Sequence, residues 1–68
     1  MKRYAIAYFN FFDNDLQIKI VEADGWRMAL DKAFPVLYWV REDDLKKARE
    51  QAFNSDVLFN VIDIKIRD

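Results

Sequence analysis

Residues 4 to 12 read Tyr-Ala-Ile-Ala-Tyr-Phe-Asn-Phe-Phe. A half-buried strand alternates apolar and polar side chains. This run is apolar at both parities. A strand built from it must be covered on both faces, or must hold one apolar face ready for a partner. The chain has little with which to supply that cover. Its 68 residues make one small domain, of a size that buries only about 60% of its unfolded surface. Small domains usually draw extra stability from disulfides, metals or oligomerisation. With no Cys and no His, disulfides and ordinary zinc sites are excluded. A rich core, self-association, or both must do the work. The chain is 53% hydrophobic, with two Trp, three Tyr and six Phe, which favours a real core over disorder.

Eleven basic and 12 acidic residues leave a net charge of −1. No global basic field attracts nucleic acid or an anionic membrane. No apolar run approaches the length of a transmembrane helix. Met1-Lys2-Arg3-Tyr4 opens like a signal peptide, but Asn10 and Asp13 break the following apolar stretch and no small-residue cleavage site follows. The expectation is a cytoplasmic protein without a membrane association, and the absence of Cys fits a reducing compartment.

One Gly and one Pro make punctuation sparse. A first strand is predicted over 2–11. Asp13, Asn14 and Asp15 mark a turn, since Asp and Asn tolerate left-handed backbone angles. A second strand follows over 16–22, alternating at Leu16, Ile18 and Ile20. A loop of two or four residues puts those three on one face with Ala5, Ala7 and Phe9. Tyr4, Ile6 and Tyr8 then share the other face with Gln17, Lys19 and Val21. Asp24 is placed to cap a helix over 25–34, with Trp26, Ala29, Leu30, Ala33 and Phe34 as its apolar stripe and Pro35 at its end. Residues 36 to 40, Val-Leu-Tyr-Trp-Val, fit a short edge strand, a buried connector or a first helical turn, and their composition leans to extended structure. A second helix is predicted over 42–53. Glu42, Asp43 and Asp44 stand at its positive end, and Leu45, Ala48, Ala52 and Phe53 form its stripe. Glu42–Lys46, Asp43–Lys47 and Lys46–Glu50 are i,i+4 pairs on its wet side. Asn54-Ser55-Asp56 turns the chain into a third strand over 57–66.

The order β-β-α-α-β predicts an α+β two-layer sandwich. The doubly apolar strand suits the centre of a three-stranded sheet of order 2-1-3. Two helices cover one face. If they form an antiparallel pair, the third strand runs parallel to the first. Small Ala5 and Ala7 would let the helices approach closely, so that face is assigned to the core. Tyr4, Ile6 and Tyr8 are then left outside.

Chemistry has little to work with. Without His or Cys there is no conventional acid–base relay, Ser–His triad or thiolate nucleophile. Thr is absent, and the single Ser, Ser55, sits in a turn. Asp13-Asn14-Asp15 lacks the longer ligand series, central Gly and distal Glu of a calcium loop. Gly25 alone makes no phosphate-cradling loop. The reading is a non-enzyme with no cofactor and no metal.

Contact is the better expectation. On the face left outside, Tyr4, Ile6, Tyr8, Val21 and Val61 stand beside Lys19, Asp63 and Lys65. Tyr among aliphatic residues suits a protein interface, and a large exposed apolar patch usually marks one. The plain alternative is a half-wet sheet face with two Tyr hydroxyls in water. Tyr38 and Trp39 form a second candidate surface, against connector packing. Three functional readings follow: a protein-binding module, a homodimer whose outer faces bury each other, and a single-stranded nucleic-acid binder that stacks bases on sheet aromatics. The last would draw on a rim of Lys2, Arg3, Lys19, Lys65 and Arg67, and the net charge disfavours it.

The stretch from Tyr4-Ala-Ile-Ala-Tyr-Phe through Asp13-Asn-Asp-Leu and Ile20-Val-Glu-Ala-Asp-Gly-Trp-Arg-Met-Ala-Leu to Phe34 resembles small accessory proteins of tailed bacteriophages. The likeness covers about half of the chain and transfers no functional residue. It implies a modulator or inhibitor that binds a host protein in the host cytoplasm.

Overall fold

The doubly apolar strand is the centre of the sheet. The structure, a computed structural model, describes residues 1–65. β1 (Lys2–Asn10) lies between β2 (Asp15–Ala23) and β3 (Val57–Ile64), giving the order β2-β1-β3. Both pairings are antiparallel. The expected order is present, but the expected direction of β3 is not. It rested on two helices folded back against each other. Instead α1 (Trp26–Ala33) packs across all three strands and α2 (Leu45–Phe53) packs on β3. The helical segment is a crossover on one face of the sheet, and such a crossover returns β3 in the direction of β2. The expected strand residue Ile66, and Arg67 of the basic rim, lie outside the described residues.

Asn10 pairs with Asp15, so a four-residue turn closes the hairpin. Asn14 takes the left-handed angle there, φ 52°, which costs Asn little. The Asn10 side-chain oxygen accepts from the backbone N–H of Phe12 at 2.8 Å and of Asp13 at 3.4 Å. An even loop preserves parity, and the predicted grouping of side chains on the two faces is observed. Asp56, at φ 62°, makes the corresponding turn into β3.

Gly25, not Asp24, is the N-cap of α1, in extended conformation and without a side-chain cap. The other end of α1 is better served. Lys19 donates to the Ala33 carbonyl at 3.0 Å, and its ammonium stands 4.9 Å from the Phe34 ring centre. A cation there meets the negative end of the helix and a carbonyl with no helical partner. Pro35, which has no N–H to offer, begins a 3₁₀ turn (Pro35–Leu37). Residues 36 to 40 are therefore a connector rather than the extended segment their composition favours. Leu37 and Val40 are buried in it. The Gln51 amide pins its far end, donating to the Trp39 carbonyl at 3.1 Å and accepting from the Arg41 N–H at 3.0 Å. From α1 the Arg27 guanidinium donates to the carbonyls of Val40 and Glu42.

α2 starts at Leu45, because Asp44 caps it by accepting from the Lys46 N–H at 3.0 Å. Glu42 and Asp43 precede the helix, so two of the expected i,i+4 pairs lose their helical spacing. Among the described residues the ion pair present is Arg3–Glu22, at 3.2 Å. Phe53, expected in the α2 stripe, is 58% exposed.

The core lies between the helices and the face carrying Tyr4, Ile6, Tyr8, Val57, Phe59 and Val61, all buried. This reverses the expected layering. Small residues do permit close approach, but here they are on the helices: Ala29, Ala33, Ala48 and Ala52 are almost fully buried. An alanine-faced helix layer must meet large side chains to reach interior packing density. Ile6, Phe59 and the two tyrosines supply that volume. Tyr8 stacks on Phe34 with ring centres 4.9 Å apart, and its hydroxyl accepts from the Asn10 amide at 3.2 Å.

Candidate functional site

Parity that sends Tyr4, Ile6 and Tyr8 under the helices sends their neighbours to the opposite face. There Ala5 stands between Ile20 and Ile62, Ala7 between Ile18 and Asn60, and Phe9 between Leu16 and Leu58. No helix covers this face. Leu16, Ile18 and Ile20 are 63%, 67% and 63% exposed, and Ile62 is 57% exposed. Together with Leu58 these side chains expose on the order of 500 Å², near the upper end of what a monomeric surface carries in one patch.

The face has relief. The aliphatic side chains of β2 form one ridge, and those of β3 form another. Ala5 and Ala7 of β1 floor a trough between them. Both ends are finished differently. At one end Arg3 and Glu22 pair with each other, so their charges cancel. At the other, an aromatic chain wraps the edge: Phe9 meets Phe11 edge-on at 4.9 Å, and Phe11 meets Phe53 of α2 at 6.2 Å. A depression of about 550 Å³ between α2 and β3, lined by Arg49, Phe53 and Leu58 among others, continues the surface around that edge. Phe12, at the hairpin tip, is 87% exposed.

The residues singled out from sequence fall elsewhere. Tyr4, Ile6 and Tyr8 are core and present no surface to a partner. Lys19 caps α1. Val21 and Trp39 are partly buried and pack against the core. Tyr38 projects outward at 73% exposure, but from the helix layer, away from the open face. What sequence reasoning missed is the set Leu16, Ile18, Ile20, Leu58 and Ile62. The signal was present in the alanine spacing of both helices, which asks for the bulky side of β1 rather than its small side.

Among the described residues no polar or charged residue is buried, and no buried side-chain nitrogen or oxygen lacks a partner. No group of three or more carboxylates stands where it could hold a metal ion. No helix is long and apolar enough to cross a membrane. The feature that stands out physically is the uncovered sheet face.

The fold and this face define a small α+β sandwich with one layer of helices and one open, aliphatic side. No protein-family model, curated protein or solved structure matches the chain.

Proposed function

We propose that this protein works by contact, as a small protein-binding module whose docking surface is the open sheet face around Ile18, Ile20 and Ile62. The observation that carries the reading is the exposure of β2's most apolar side. Leu16, Ile18 and Ile20 form the clearest alternating pattern in the chain, and all three are more than half exposed. Leaving such side chains about two-thirds in water forgoes roughly 1–2 kcal/mol each of burial. A partner that covers them recovers it.

The stacking platform on which a nucleic-acid reading depended is absent from the surface, since Tyr4 and Tyr8 are buried. The middle of the open face offers aliphatic side chains, which do not stack on bases, and the aromatic rings Phe9, Phe11 and Phe53 are gathered at one edge, packed on one another.

Capture tests the proposal. The chain carrying Ile18→Lys and Ile62→Lys is expected to keep its far-UV circular dichroism and to lose the proteins that the unaltered chain retains from a lysate of its native host. Retention of the same proteins by the substituted chain would place the docking surface elsewhere.

A further inference from the structure

We infer that the occupant of the open sheet face is a second copy of this chain, packed face to face. The inference rests on the contact reading above and names its partner. Three observations carry it.

The first is size. Two copies of the face hold on the order of 1,000 Å² of exposed apolar surface between them, and the β2 ridges that meet the opposing troughs supply roughly two thirds of it, a contact at the small end of specific interfaces. The second is shape. Ridge and trough occur on the same face, which an isologous interface requires. With a two-fold axis along the strands between β1 and β2, the Leu16–Ile18–Ile20 ridge of each copy lies over the Ala5 and Ala7 trough of the other, and Leu58 and Ile62 stand at the rim of the contact. Sheets packed in this way stand about 10 Å apart with interdigitating side chains. The third is charge. Arg3 and Glu22 neutralise each other at 3.2 Å, Asn60 stands opposite Ala7 in the middle of the face, and Arg49 of α2 borders the trough beside Phe9, Leu16 and Leu58. The Asn60 amide oxygen already accepts from the Val61 N–H at 2.9 Å, and the amide's own N–H groups are left for a symmetry mate. A face with an aliphatic centre and Arg49 at one end presents no basic cluster to a polyanion or an anionic lipid surface.

Sedimentation of the purified full chain from about 1 to about 100 µM is expected to show a species of twice the 8.2 kDa chain mass. Ile18→Lys should raise the dissociation constant by roughly 100-fold or more with the circular dichroism unchanged. Ala7→Phe, which fills the trough without adding charge, should do the same. A second measurement stands apart from those substitutions. An Ala7→Cys chain mixed with an Ile18→Cys chain under mild oxidation should give a cross-linked pair of unlike chains, because the parent has no other cysteine. An unaltered chain that remains at 8.2 kDa over the whole range overturns the second copy. The broader contact reading is then decided by its own capture test. A dimer that survives both substitutions, or that fails to cross-link, is built on another surface and equally overturns the inference.

Discussion

Ile6 is fully buried and Ile18 is 67% exposed, although both are isoleucines on adjacent strands of one sheet. Their substitutions should separate cleanly. Ile6→Ala removes packed methyl groups beneath two helices and is expected to cost about 2–5 kcal/mol. Ile18→Ala, measured where the chain is monomeric, should cost less than about 1 kcal/mol. Urea titration of both variants checks the pair, and equal losses would contradict the assignment of faces. Lys19 makes a second residue-scale case. A lysine between Gln17 and Val21 reads as the wet side of a strand, yet its ammonium ends on the Ala33 carbonyl. Replacing Lys19 by Met keeps most of the stem and removes the charge-assisted hydrogen bond, with an expected loss of about 1 kcal/mol. Asp56 tests backbone strain: its φ of 62° predicts that Asp56→Val costs about 1–2 kcal/mol, since the left-handed region crowds Cβ, while Asp56→Gly is nearly neutral.

At the scale of elements, local signals and packing signals part company. Turn chemistry was legible. Asp13-Asn14-Asp15 placed the hairpin, and its even loop fixed which side chains travel together. Helix stripes were legible in the spacing of Ala29, Leu30 and Ala33. The first turn of α2 was less so, because three consecutive acids all look like caps, and Asp44 alone accepts from the Lys46 N–H. The connector was legible only as one of three readings. Five apolar residues suit a strand by composition, but what holds residues 39 to 41 is a single side chain from a distant element. The Gln51 amide serves both the Trp39 carbonyl and the Arg41 N–H, a long-range pairing without periodicity. Gln51→Ala should therefore destabilise by about 1–2 kcal/mol, since it leaves two backbone groups without their protein partner. Amide hydrogen exchange at Arg41 should speed up with it, whereas exchange unchanged at Arg41 would mean that the connector is held by other contacts.

For the whole molecule, the decision that sequence could not make was which apolar side of β1 faces inward. Parity sorted the side chains correctly and was silent about the cover. The usual argument, small residues under helices, failed because the helices were themselves faced with alanine. Volume must be matched across the interface, and the larger side of the strand filled it. This inversion moved the candidate surface from Tyr4, Ile6 and Tyr8 to Leu16, Ile18, Ile20 and Ile62. It also changed the character of that surface from aromatic with polar handles to aliphatic at its centre, with aromatic rings and Arg49 at one end. Coupling between folding and association follows from mass action: a partner that binds only the folded state raises the unfolding temperature as its concentration rises. The most direct measurement is the thermal unfolding midpoint of the purified chain as a function of its own concentration. A midpoint that climbs with concentration in the unaltered chain and stays flat in Ile18→Lys is the predicted result, and a midpoint independent of concentration in both would contradict a face sealed by a second copy.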